Sequence, residues 1–239
     1  MLKLKIAEVI IGVLPKYSAT AKYCSDFFYK GDKKPDFEII LTQEDIDYER
    51  YLSGENYPES YFETLALSRR IAENLLAYDG MLLHCSAVEV DEKAYLFTAP
   101  SGTGKSTHAS FYKEIFKNRA TIINDDKPIV RKIDGKFFVF GSPWQGKHKI
   151  GENKKAKIKG ICHLTRGKTN QITKADKNYM ISVLLSQTLR PKEEEKMDKL
   201  LTLLEEMLDS TDLYLLKCNK EKESAKVSYQ FMSGDNNEN

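Results

Sequence analysis

At 239 residues, 41% hydrophobic and 10% aromatic, the chain can bury a sizeable core as one large or two small domains, which excludes a disordered or fibrous protein. Lys and Arg total 37 against 35 Asp and Glu, a formal net charge of +2. Such a balance excludes general electrostatic attraction to nucleic acid or membrane, so partners must be sought at a defined site.

Residues 1–225 are read as one domain. Cys24, Cys85, Cys162 and Cys218 are widely separated, with no CxxC pair and no metal-ligand spacing. They indicate neither a zinc site nor a disulfide framework and suit a reducing cytoplasm. The opening MLKLKIAEVIIGVLP has the two lysines and apolar stretch of a signal peptide. Glu8 interrupts that stretch, so a strand over Leu4 to Val13 is the better reading.

A second strand is expected at Asp36 to Leu41. Between Ser60 and Tyr78, apolar residues at 62, 65, 66, 71, 72, 75 and 76 recur at helical spacing, and Asp79-Gly80 ends the run. The charged Arg69, Arg70 and Glu73 then form a solvated face. Met81 to Val90 and Lys93 to Thr98 read as strands joined around DEK, and the second feeds APSGTGKST, residues Ala99 to Thr107.

That string has the spacing of a phosphate-binding loop between a strand and a helix, with Ala99 where a glycine is usual. Gly102 and Gly104 would let the backbone N–H groups of Ser101, Gly102, Thr103, Gly104, Lys105, Ser106 and Thr107 turn towards an anion at a helix N-terminus. Lys105 would reach the β and γ phosphates of ATP, and Ser106 would ligate Mg²⁺. A helix is expected over Ser106 to Lys117, with Ala109, Tyr112 and Phe116 on one face.

Next comes a strand at Ala120 to Asn124, returning beside the strand that feeds the loop and ending in Asp125-Asp126. Such a pair beyond a strand end can serve a metal and an acceptor hydroxyl. Asp126 is assigned to the metal and Asp125 to the general base; an Asx-type turn leading to Pro128 is the alternative. Pro128 to Ile133 and Lys136 to Phe140 flank Asp-Gly, a hairpin signal. Ile158 to Leu164 and Leu213 to Lys217 read as strands, and Lys177 to Leu189 and Lys192 to Leu208 as helices. Residues 226–239 are expected to be a disordered tail.

His84, in LLHCSA, is either a satisfied structural histidine or a group near the γ-phosphate. The segment Gly141 to Lys155 holds the only Trp, with glycines, Lys147, Lys149 and Glu152. It is either a binding loop that closes the site or a core plug with solvated charges.

Taken together, HCSA at 84–87, APSGTGKST and INDD at 123–126 resemble the catalytic core shared by ATP-dependent phosphoenolpyruvate carboxykinase and bacterial HPr kinase/phosphorylase. GSPWQGK, GENKK and IKGICHLTRGKTNQI are similar to small bacterial members of that superfamily. The resemblance implies an α/β P-loop fold, like the HPr kinase C-terminal domain, with a mixed, partly antiparallel sheet flanked by helices. It also implies Lys105 and Ser106 as nucleotide and Mg²⁺ contacts, Asp125 and Asp126 as metal and base residues, and His84 close to the transferred phosphate. No arginine-bearing segment matches the carboxykinase oxaloacetate site, and Thr107 stands where HPr kinases place an acidic residue.

The expected activity is an ATP- and Mg²⁺-dependent kinase acting on a serine-type hydroxyl of a small molecule, peptide or protein. A nucleotide-binding sensor or scaffold without transfer, and a small carboxykinase-type lyase, are the alternatives. The oligomeric state, a homo-oligomer included, stays open.

Overall fold

The computed structural model describes residues 1–146 and 149–234. β1 (Leu2–Ile6) and β2 (Val9–Val13) form an antiparallel hairpin. The turn between them is made by Ala7 and Glu8, both in the left-handed region at φ 50° and 65°, so the single strand expected over Leu4 to Val13 is folded in half. After α1 (Ser18–Tyr23), β3 (Phe37–Ile39) adds to β2 in parallel and completes a three-stranded sheet.

α2 (Gln43–Ser53) has no counterpart in the sequence reading. Thr42 starts it with a capping box, its hydroxyl accepting from the Asp45 amide and the Asp45 carboxylate accepting from the Thr42 amide at 2.9 Å. α3 (Glu59–Leu75) buries Phe62, Ala66, Ile71, Ala72 and Leu75 on the face expected from the spacing, with Leu67 buried beside them and Leu65 half-buried. It fills the gap between the small sheet and the main one, where Leu4, Ile11, Leu67, Ile71, Leu82, Ile129 and Trp144 share one core cluster.

The long strand expected from Met81 to Val90 is two strands, β4 (Gly80–Leu82) and β5 (Ser86–Val90), separated by Leu83, His84 and Cys85. β6 (Lys93–Thr98) leads into the glycine loop and α4 (Lys105–Phe116), and β7 (Ala120–Asn124) follows. β8 (Ile129–Ile133) and β9 (Lys136–Phe140) form the expected hairpin, with Asp134 and Gly135 at φ 48° and 74°. The remaining elements are β10 (Lys155–Arg166), β11 (Gln171–Lys174), α5 (Lys177–Ser186), α6 (Glu194–Ser210), β12 (Asp212–Cys218) and α7 (Glu223–Ser233).

The main sheet is mixed and runs β4-β8-β9-β10-β6-β5-β7. The twelve-residue β10 is its spine. One edge of β10 pairs in parallel with β6; the other is shared, residues 155–157 with antiparallel β9 and residues 160–166 with parallel β12. β5 is antiparallel to both β6 and β7. The loop-feeding strand and the aspartate-bearing strand therefore run in the same direction with β5 between them, rather than side by side as expected.

Both faces of this sheet are covered, which is why β6 is apolar at nearly every position. Ala94 and Leu96 pack towards Met180 and Leu184 of α5 and Leu203 and Leu204 of α6. Tyr95 and Phe97 pack towards Ala109 and Tyr112 of α4 and Ala225 and Met232 of α7. The result is a mixed α/β architecture with helices on either side of a mixed sheet. Among the described residues, no helix is long and apolar enough to cross a membrane.

The expectation of a disordered tail from residue 226 does not hold up to Ser233. Low hydrophobicity hid a helix whose buried face is small and polar: Ser224, Ala225 and Ser228 are closed to solvent. Ser228 and Ser224 hydrogen-bond the two ring nitrogens of His108 on α4 at 3.1 and 3.3 Å, and the Tyr112 hydroxyl meets Ser228 at 2.7 Å. Residues 235–239 lie outside the described residues.

Burial lowers the His108 pKa from 6.5 to about 3, so the imidazole clamping α4 to α7 is neutral. The unfolded chain then binds one more proton than the folded one between those two values, and stability falls as pH drops through that window. The expected loss is up to about 1.4 kcal/mol per pH unit below about 6.5. Urea unfolding between pH 7 and 4 should show a shallower acid slope for His108→Gln than for the parent; identical slopes contradict a neutral buried His108.

Candidate active site

The loop after β6 has the local geometry of an anion cradle. Gly102 sits at φ 74° and Gly104 at φ 120°, conformations that a side chain at either position would strain. Thr103 donates its amide to the Pro100 carbonyl at 3.2 Å, and α4 begins at the next residue but one, with the His108 amide on Gly104. Ser101 and Gly102 are exposed, Thr103, Gly104 and Ser106 half-buried, and Thr107 exposed. Arg166, at the end of β10, donates to the Gly102 carbonyl at 2.7 Å and ties the loop to the sheet spine.

Ala99, the residue that departs from the usual glycine, is fully buried in the α4 core cluster, and its carbonyl accepts from Lys105 Nζ at 2.8 Å. Desolvation lowers the Lys105 pKa, opposed by Cys85 and Asp126. The ammonium is thus poorly compensated, a state that favours an incoming anion.

Three chain segments meet at the loop end of the sheet. Ser86 pairs with Phe97 on one side, while Ala87 pairs with Asn124 on the other. The start of β5 therefore lies between the loop after β6 and the aspartates after β7. A bulge in β7 between Ile122 and Asn124 bends the strand here, as bulges commonly do beside sites. His84 Nε2 lies 3.3 Å from Asp126 Oδ1, and Lys127 Nζ is 4.0 Å from Asp126 Oδ2. Desolvation acts to raise the Asp126 pKa, but the hydrogen bond from His84 and the charges of Lys127, His84 and Lys105 outweigh it and leave the carboxyl below its ordinary range. His84, Lys105 and Asp126 are thereby brought together.

Asp125 turns elsewhere. It is buried, Oδ1 accepts from the Gly146 amide at 2.8 Å, and Oδ2 is enclosed with no hydrogen-bond partner among the described residues. A Cβ at position 146 would stand 2.7 Å from Oδ2, so only glycine allows this approach. Successive residues at a strand end diverge, and here the divergence sends Asp125 to the 141–152 segment rather than to an acceptor, as the base assignment required.

The residue that organises the pair is Asn124, which the sequence reading passed over. Its Oδ1 accepts from the Asp126 and Lys127 amides at 2.8 and 2.9 Å, and its Nδ2 donates to the Ser142 hydroxyl at 3.1 Å. The Asx turn foreseen as an alternative use of the aspartates is real but is made by Asn124, and it aims Asp126 at His84. Asn at the last strand position before the pair was the available signal.

Of the two readings of the 141–155 segment, a binding loop or a core plug, its described residues fit the second. Trp144 is buried and donates to the Thr64 carbonyl at 3.0 Å, Gln145 accepts from the Gly151 amide, and Glu152 donates its amide to Ile123 in the bulge. Trp144 is therefore a core plug. Lys149 stands 5.1 Å over the Tyr23 ring, and Lys147 lies outside the described residues. On α3, Arg70 pairs with Asp45 and Glu73 as a solvated face should, whereas Arg69 pairs with the buried Glu49.

Among the described residues, no group of three His, Cys, Asp or Glu side chains could hold a metal unaided. Mg²⁺ carried on phosphate oxygens needs only one or two protein ligands. The ionised Asp126, within electrostatic reach of Lys105, fits that demand.

The sequence matches no protein-family model and no curated protein. Among solved structures, the chain is similar to the HPr(Ser) kinase/phosphatase from Coxiella burnetii, at 9% identity and a TM-score of 0.37 over 64% of this chain and 99% of that one. This is a distant likeness in fold that assigns no activity.

Replacing Asn124 with Ala leaves the Asp126 amide without its partner, whereas the Lys127 amide keeps the Trp144 carbonyl at 3.2 Å and the Ser142 hydroxyl keeps the Lys127 carbonyl. The expected cost is about 1 to 3 kcal/mol, the penalty of one unsatisfied donor. Urea denaturation measures it; a loss below about 0.5 kcal/mol, the range of a neutral surface change, contradicts the organising role of Asn124.

Proposed function

We propose that the protein is an ATP-dependent phosphotransferase acting on a hydroxyl. The observation that carries the reading is the meeting, at one end of the sheet, of a glycine loop opening a helix with the His84–Asp126 pair. In this reading the amides of Ser101 to Thr107 and the Lys105 ammonium hold the triphosphate. Ser106 and Asp126 would hold Mg²⁺, which when bound gathers charge on the phosphate oxygens.

His84, not Asp125, is given the acceptor. Its Nε2 is oriented by Asp126 and its ring lines an open cleft, so the imidazole can position a hydroxyl and take its proton. The hydroxyl oxygen bonds to the γ-phosphorus as the bond to the β-phosphate oxygen breaks, and ADP leaves with that electron pair. Asp125 acts on structure, holding the Gly146 amide behind the site. Positioning and charge neutralisation supply most of the acceleration, as is general for phosphoryl transfer.

The test is incubation of purified protein with γ-labelled ATP, Mg²⁺ and a cell extract, with ATP affinity measured in parallel. Label on an acceptor supports the reading; ATP binding without turnover replaces it with a sensor or scaffold. Lys105→Ala should abolish ATP binding with the fold intact by circular dichroism, and unchanged affinity refutes the phosphate loop. His84→Ala should slow transfer by about 10² to 10⁴, the range for a lost general base, with Asp125→Asn within about tenfold of the parent. The reverse order returns the base to Asp125.

A further inference from the structure

Beside His84 lies an open cleft of about 460 Å³ whose lining includes Glu49, Arg69, His84, Lys127, Gln187 and Arg190. It is formed where α2 and α3 face the turn after α5, and its size falls in the range of small-molecule sites, about 300 to 1,000 Å³. We infer that this cleft receives a small hydroxylated carboxylate, which rests on the kinase reading above and names its acceptor class.

Charge is the first reason. Three fixed cations, Arg69, Lys127 and Arg190, line the cleft against one carboxylate, Glu49. Glu49 is already engaged by Arg69 Nε, and the Arg69 guanidinium stacks 5.1 Å over the Tyr48 ring. That pairing holds the rest of the planar fork in a set orientation, the arrangement suited to bidentate carboxylate binding. Arg190 has no anionic partner among the described residues, and Lys127 reaches Asp126 only at 4.0 Å. The cleft is thus a site of net positive charge with room for one more anion.

Hydrogen bonding is the second. Gln187 Oε1 is closed to solvent and has no donor among the described residues, and such an orphan gains an O–H or N–H from a ligand once its side chain turns towards the cleft. Its amide nitrogen is held by the Ser186 hydroxyl at 3.2 Å, and the Gln187 carbonyl accepts from the His84 amide at 2.7 Å. The orphan and His84 are therefore parts of one rigid junction. A compound whose carboxylate meets Arg69 and Arg190 can offer one hydroxyl to His84 and a second donor, hydroxyl or ammonium, to Gln187. Glycerate and serine have that pattern. The step is the one already written, with the acid's hydroxyl oxygen forming the new bond to phosphorus and His84 taking its proton.

The experiment is calorimetric titration of nucleotide-free protein with glycerate and serine, and with glycerol and serinol, which lack the carboxylate. Transfer from γ-labelled ATP to the same four compounds is measured alongside. The acids should bind and accept label while glycerol and serinol do neither. Arg190 is exposed, so Arg190→Ala should leave the fold intact yet raise Kd and KM for the acids at least about tenfold, with kcat changed by less than about threefold, as for a lost charge-assisted hydrogen bond away from the reacting atoms. Lys105→Ala should lose ATP binding and keep acid binding.

The inference is overturned if neither acid binds, or if Arg190→Ala and Arg69→Gln both bind the acids as the parent does. It is also overturned if oxaloacetate with ATP yields phosphoenolpyruvate at this site. Label passing to extract proteins but never to the acids removes the small acceptor and leaves phosphotransfer standing. Acid binding without any ATP binding removes phosphotransfer and leaves the cleft assignment standing.

Discussion

Three backbone hydrogen bonds across the gap between β4 and β5 hold the site together. Leu83 donates to the Pro128 carbonyl at 3.2 Å, His84 to Gln187 at 2.7 Å and Cys85 to Asp126 at 3.1 Å. A strand interrupted inside a sheet exposes amides that must find partners, and here those partners are the turn after β7 and the turn after α5. Each bond satisfies the gap and simultaneously seats a functional element: Asp126 against β5, and the cleft's Gln187 against His84. The Ser86 hydroxyl adds a contact to the Asp125 carbonyl at 3.3 Å. The break is consequently the point where the loop strand, the aspartate strand and the helical side of the cleft become one unit.

Electrostatics at this junction is set by opposing terms. Lys105 and Asp126 are each desolvated, yet for Asp126 the nearby positive groups prevail, whereas for Lys105 the burial penalty does. A site with an ionised carboxylate and an under-compensated ammonium gains from a ligand that brings negative charge to the lysine and a divalent cation to the carboxylate. A metal-bound polyphosphate does both at once, and backbone amides at a helix start add further donors without side-chain entropy cost. Cys85, fully buried beside these groups, has its thiol pushed well up by burial, so it packs rather than reacts.

Periodicity made part of this legible in advance. β6, α4, β7 and the β8–β9 hairpin lie close to where apolar runs, the glycine loop and Asp134-Gly135 indicated, because local chemistry and tertiary demand agree there. The face of α3 was readable for the same reason. Three features were not. The hairpin turn at Ala7-Glu8 uses non-glycine residues in the left-handed region, which composition does not announce. The break at Leu83–Cys85 is marked only by the half-buried His84, since Leu83 and Cys85 are as buried as the strands around them. α7 buries serines, whose value comes from pairing with His108, a partner distant in sequence. At the site, the loop, His84 and Asp126 were visible as residues; the divergence of Asp125 and the work of Asn124 depend on how the 141–152 segment returns, which is tertiary information.

The central claim is that the loop after β6 and the carboxylate of Asp126 face one another across a single metal-bound triphosphate. A crystal structure of the protein with a non-hydrolysable ATP analogue and Mn²⁺ in place of Mg²⁺ tests it most directly. The account predicts β and γ phosphates on the amides of residues 102 to 106, with the ion bound to Ser106 and Asp126. Nucleotide bound elsewhere, or an ion with no link to Asp126, contradicts it.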